Sequence, residues 1–208
     1  MPSLVLAGFV TFEGIDGSGK TTVSRLAAER LRSQGHAVYL TSEPTAGWLG
    51  EAVRRGIEED VGAVAEALLF LADRAAHIPD IQSHLAKDEL VLCDRYADST
   101  YAYQGARLAG IVRDPLRFLQ RASEDWVLLP DLTVLLKVPP DVAIARIKDR
   151  PDRMRFEDVT LLTKVAANYD RLAKSRRFVI VDANRSVDHA VDDAVSAIER
   201  RLPTRPGA

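Results

Sequence analysis

A glycine-rich run ending in lysine and threonine is the first place where residue types and spacing could do chemistry. Gly14-Ile15-Asp16-Gly17-Ser18-Gly19-Lys20-Thr21 fits the pattern GxxxxGK[ST]. Glycines let such a loop curl so that its backbone N–H groups, from Gly14 through Thr22, converge on a nucleotide phosphate. Lys20 reads as an exposed loop cation reaching the β and γ phosphates of ATP, and the Thr21 hydroxyl as a ligand for Mg²⁺. Asp94 ends the apolar run Leu90-Val91-Leu92-Cys93, the place where such enzymes keep a carboxylate that holds Mg²⁺ directly or through water. The plainer alternative is an Asp94–Arg95 ion pair. Arg95 itself is suited to bidentate recognition of a second phosphate.

Phe70 and Arg74 lie four apart, so on a helix they share a face where a ring can stack on a base and a guanidinium can donate to a carbonyl such as a pyrimidine O4. Taken alone, the pair would be core packing and a surface arginine partnered by Glu66 or Asp73. Tyr96, Ser99, Thr100, Tyr103 and Gln104 recur at intervals of three and four, which puts hydroxyls, rings and a carboxamide on one helix face beside Arg95. The four histidines show no metal-ligand spacing.

Elements must bring these groups together. Short apolar runs at Gly8–Phe12, Ala37–Leu40, Leu90–Cys93, Leu132–Leu136 and Phe178–Val181 read as buried strands, with the apolar stretch from Leu4 to Val10 belonging to the first. Segments of helical spacing lie between them, such as Val23, Leu26, Ala27 and Leu31, or Val187, Val191, Ala194, Val195 and Ile198. Alternation of this kind predicts an α/β class: a three-layer P-loop fold with a five-stranded parallel sheet and helices on both faces. Ligands in such sheets bind at the carboxyl ends of the strands, where the residues above fall. One domain over 1–208 is expected, ending in a loose tail at 203–208.

Composition narrows the function. A formal net charge of −2 gives no basic excess for a nucleic-acid partner, and no apolar stretch is long enough to span a membrane. Cys93 is the only cysteine, which excludes an intrachain disulfide and suits a reducing cytoplasm.

Four motifs in order, Phe12-Glu13-Gly14-Ile15-Asp16-Gly17, Ser42-Glu43-Pro44, Leu69 to His77, and Asp94-Arg95-Tyr96 followed by Ser99 to Gly105, closely resemble thymidylate kinases. The resemblance runs past Pro130-Asp131-Leu132 and implies ATP and dTMP as substrates and a homodimer. It implies that Arg95 grips the dTMP phosphate, Asp16 meets the sugar 3′-hydroxyl, and Phe70 and Arg74 hold thymine. Ser99 and Gln104 would meet the base or sugar edge, Tyr103 would crowd out a ribose 2′-hydroxyl, and Glu43 would order the acceptor loop. Some relatives carry an arginine where this chain has Gly17, and others use basic residues of a lid. Gly17 places this chain with the second kind, and 149–157 is the expected lid, with Arg153 and Arg155 as candidate catalytic cations. Ser42 and Lys137 depart from the pattern of many bacterial relatives, and Lys137 reads as a solvated surface lysine. A kinase for another monophosphate such as dUMP, and a P-loop switch without an acceptor, remain as alternatives.

Overall fold

The computed structural model describes residues 4–148 and 159–206. The expected lid at 149–157, with Arg153 and Arg155, lies outside the described residues.

Five strands form one parallel sheet: β2 (Gly8–Glu13), β3 (Val38–Ser42), β4 (Leu90–Asp94), β5 (Leu132–Lys137) and β6 (Phe178–Asp182), in the spatial order β3-β4-β2-β5-β6. The helices are α1 (Lys20–Ser33), α2 (Trp48–Glu59), α3 (Ala63–Leu85), α4 (Ala97–Arg107), α5 (Pro115–Ser123), α6 (Pro140–Ile147), α7 (Val159–Leu172) and α8 (Val187–Arg201). From β2 the chain builds β3 and β4 on one side and then β5 and β6 on the other. The phosphate loop therefore leaves the sheet where the winding reverses, which is where such sheets place their ligands.

Side chains alternate across β2, as extended backbone requires. Val10 and Phe12 pack with Val23, Ala27, Ala194 and Ile198 of α1 and α8. Phe9 points to the opposite face, against Ala67 and Ile78 of α3 and Tyr101 of α4. Thr11 and Glu13 follow Phe9 on that second face. A fully buried carboxylate at the end of a central strand is thereby aimed at α4 and α7.

Two expectations are corrected. The apolar stretch from Leu4 is not one strand: β1 (Leu4–Leu6) leaves the main sheet and pairs antiparallel with β7 (Thr204–Pro206). The segment expected as a loose tail therefore carries a strand. Leu202 explains this, because it is buried and brings the chain back beside Ala7, whose N–H donates to the carbonyl of Pro203 at 3.3 Å. Among the described residues no helix is long and apolar enough to cross a membrane.

Candidate active site

The loop from Gly14 to Gly19 joins β2 to α1 and wraps the side chain of Lys20, the first residue of that helix. Lys20 is 4% exposed, not the exposed cation expected, and its ammonium donates to the Ile15 carbonyl at 2.8 Å. Burial, followed by the nearby Arg95 charge, pushes its pKa down to about 8. At Gly14 a Cβ would lie 2.5 Å from the carbonyl oxygen of Leu136, and at Gly17 one would lie 2.3 Å from that of Ala143 on α6. The backbone of Gly17 also has φ 82°, a region that side chains disfavour. An arginine at 17 has no room with α6 in this place.

Thr21 donates its hydroxyl to Asp94 Oδ2 at 2.5 Å, tying the loop to the end of β4. Among the described residues Asp94 Oδ1 and Ser18 Oγ are buried with no hydrogen-bond partner. A hydroxyl and a carboxylate with a free oxygen, beside a phosphate loop, fit Mg²⁺, which keeps waters and substrate phosphates in its shell and needs no all-protein cage. Among the described residues no group of three or more acidic, histidine or cysteine side chains is placed to hold a metal ion. Asp94 does not pair with Arg95. Arg95 ion-pairs with Asp16, reaches Ser99 Oγ at 3.3 Å and lies 5.2 Å from the Tyr103 ring centre. Its backbone is left-handed at φ 67°, strain of the kind that collects at functional sites. The Cys93 thiol is buried and pushed well above its usual pKa, chiefly by desolvation, so it is no nucleophile.

A cavity opens beside the loop. Asp16, Glu43, Phe70, Arg74, Arg95, Ser99, Tyr103 and Gln104, all expected at the acceptor site, line it. Arg74 is 1% exposed, and its partners are neither Glu66 nor Asp73. Its Nη2 donates to Glu43 Oε2 at 2.6 Å and to Thr100 Oγ1 at 2.8 Å. Nε and Nη1 are left without a partner among the described residues. Asp73 instead holds the backbone N–H and hydroxyl of Thr45, and Glu66 takes Arg107 and the Gln104 amide. Tyr103 donates to Asp16 Oδ2 at 2.9 Å and accepts from the Asp16 N–H at 2.7 Å, closing one wall of the cavity. Lys137 is half-exposed and paired with Asp170, as a surface lysine would be.

Several supporting residues escaped the sequence reading. Glu43 Oε1 meets His77 Nδ1 at 3.1 Å, and His77 Nε2 meets Thr41 Oγ1 at 2.9 Å, so a buried relay sets the carboxylate that orients Arg74. The placement of His77 three residues after Arg74 was the available signal. Arg146 donates to the carbonyls of Gly17 and Ala183, joining the loop to the end of β6. Glu13 accepts from the Tyr96 N–H, Ser99 and Tyr169, contacts that its place in the strand did not foretell.

This geometry provides a glycine-rich loop, a hydroxyl and a carboxylate suited to a metal ion, and beside them a cavity lined by Arg74 and Arg95. Comparison with known proteins agrees. The family model described as "Thymidylate kinase" matches residues 12–194. A protein of Methanospirillum hungatei named "Probable thymidylate kinase" is 42% identical over 196 residues, covering 93% of this chain and 94% of that one. One of the same name from Methanoculleus marisnigri is 45% identical over 177 residues, covering 84% and 85% of the two chains. A third, from Methanococcoides burtonii, is 39% identical over 192 residues, covering 91% and 94%. With the match spanning both the phosphate loop and the acceptor cavity, this chain belongs to the thymidylate kinase family.

Proposed function

We propose that the chain transfers the γ-phosphoryl group of ATP to dTMP, giving ADP and dTDP. The observation that carries this reading is the acceptor cavity: the unpartnered Nε and Nη1 of buried Arg74 beside Phe70 supply donors and a ring for a pyrimidine, while Arg95 stands at the wall shared with Asp16 and the phosphate loop.

Transfer is direct. An oxygen of the dTMP phosphate bonds to the γ-phosphorus as the bridging oxygen of ADP leaves with the bonding pair, and this displacement needs no strong base because the attacking oxygen is already anionic. The protein contributes positioning and charge: Arg95 holds the acceptor phosphate, Lys20 faces the β and γ phosphates, and the N–H groups of the loop take the remaining oxygens. Thr21 and Asp94 would hold Mg²⁺, which neutralises phosphate charge when bound. Asp16 takes the sugar 3′-hydroxyl, Tyr103 denies space to a 2′-hydroxyl, and Ser99 and Gln104 complete the wall. Glu43 orients Arg74. The further cation is Arg153 or Arg155, since position 17 holds a glycine.

The working form is a cytoplasmic homodimer. Trp48 on α2 is 75% exposed, and α3 presents Val64, Leu68, Ala72, Ala75 and Pro79 to solvent at helical spacing, an apolar stripe that a second copy would cover. Sedimentation of the parent and of Leu68→Glu should give a dimer and a monomer; a parent that sediments as a monomer removes this part of the reading.

Selectivity tests the base site. A thymine methyl in an apolar pocket contributes about 1 to 3 kcal/mol, so kcat/KM should favour dTMP over dUMP by roughly 10- to 200-fold. CMP and AMP should be much poorer. A purine monophosphate used as well as dTMP would remove Phe70 and Arg74 from base recognition.

A further inference from the structure

Arg95 reaches Ser99 Oγ with Nη1, and that hydroxyl is itself held. Ser99 donates to Glu13 Oε2 at 2.6 Å and lies 3.0 Å from the hydroxyl of Tyr169 on α7. Tyr169 in turn reaches Glu13 Oε2 at 2.8 Å, while Glu13 Oε1 accepts the Tyr96 N–H at 2.9 Å. Glu13 is fully buried, Tyr169 is 2% exposed and Ser99 8% exposed. Three elements far apart in the chain, β2, α4 and α7, thus meet on one carboxylate next to the acceptor arginine.

We propose that Tyr169 is a positioning residue for the acceptor phosphate: with Glu13 it fixes the Ser99 hydroxyl, and Ser99 fixes one arm of Arg95. The inference rests on the reading that Arg95 takes the dTMP phosphate. Its logic is hydrogen-bond capacity. The Ser99 hydroxyl has one proton and two acceptor positions, and Glu13 takes the proton. The oxygen is then turned to accept from Arg95, while Tyr169 gives its own proton to the same carboxylate oxygen and so holds Glu13, and through it Ser99, from the far side. Removing the Tyr169 hydroxyl leaves Ser99 freer to rotate and a buried carboxylate with one donor fewer, and Arg95 loses its fixed second anchor. Asp16 still pairs with the other arm, so the arginine remains in the site but is less defined there.

The experiment is a double-mutant cycle on steady-state kinetics with ATP and dTMP, using Tyr169→Phe, Ser99→Ala and the pair. Tyr169→Phe should raise KM for dTMP and lower its kcat/KM by about tenfold, with KM for ATP within about twofold of the parent. The pair should be no more than two- to threefold worse than the poorer single variant, because both act on one arm of Arg95. Tyr101→Phe is the control. It removes a buried hydroxyl that bonds Ser123 at 2.8 Å, away from Arg95, and should lower thermal stability without altering kcat/KM. Should Tyr169→Phe fail to fold, Glu13→Gln at the other end of the same contact takes its place in the cycle. If the Tyr169 variant loses stability like the control but keeps the parent's dTMP kinetics, or if the two changes multiply, the positioning role is overturned. A parent that turns over other monophosphates but not dTMP would instead remove the underlying reading, and this proposal with it.

Discussion

Lys20 sits where the transferring phosphates are expected, and burial in that place costs the protein. Its pKa is held down at about 8 by desolvation and then by Arg95, so the charged form is disfavoured in the fold below that pH. Exchanging it for an apolar side chain of similar length should therefore separate stability from function. Lys20→Met is expected to unfold at or above the parent's temperature at pH 7 in the absence of nucleotide, while kcat falls by about 10²- to 10³-fold. Near-parent turnover by the folded variant would contradict the assignment of the loop. Glu13 shows the opposite shift. Burial, and then the Asp98 charge, push its carboxyl up to about 7, well above the usual carboxylate range. A raised carboxyl binds its proton more tightly in the folded chain, so stability rises as pH drops from 8 through 7 toward 4.5. Relative to Glu13→Gln, the parent should gain about 1 to 3 kcal/mol between pH 8 and 5.5 in denaturant unfolding. A difference between the two that does not change with pH would show that the carboxyl is not so displaced.

At the scale of elements, what was legible in the sequence is what lies close together along it. The phosphate loop is one contiguous run, so local spacing sufficed there; Phe70 and Arg74 are a single helical turn apart, so spacing put them on one face, but only the resemblance pointed that face at a base. Partners across the sheet could not be read this way. Arg74 pairs with Glu43, 31 residues away, and Tyr169 with Glu13, 156 residues away, and nothing in local periodicity selects them over Glu66 or Asp73. The strand at Thr204–Pro206 was hidden for the same reason: three residues carry no period, and its partner is at the other end of the chain. The loop and α6 act as one element through Gly17. Gly17→Ala puts a Cβ against the Ala143 carbonyl, so either must move, and kcat/KM for ATP should fall at least about tenfold. Unchanged kinetics would mean that the loop yields freely. With a glycine at 17, the proposed further cation is Arg153 or Arg155. Replacing Arg153 and Arg155 together with Ala should cut kcat by about 10³-fold under saturating ATP and dTMP, with little change in dTMP binding. A kcat within a few-fold of the parent would return that segment to an ordinary solvated loop.

On the scale of the whole molecule, the winding reverses at β2, and in the reading proposed above one sheet serves two substrates: phosphates at the loop that ends β2, and an acceptor in the cavity that α3 and α4 help to line. Arg95 and Asp16 stand at the boundary between them, joined to each other and to neither substrate's remaining contacts alone. A switch protein needs only the first half of that arrangement. The second half, with unpartnered arginine donors buried beside a half-buried ring, is what the proposed acceptor would fill. Production of ADP from ATP and Mg²⁺, measured against a panel of nucleoside monophosphates, puts this to the test most directly. The account predicts turnover that depends on an added monophosphate, with dTMP giving the highest kcat/KM, dUMP following, and dTDP formed mole for mole with ADP. ADP release at the same rate with and without any monophosphate, or a panel led by AMP or CMP, would contradict it.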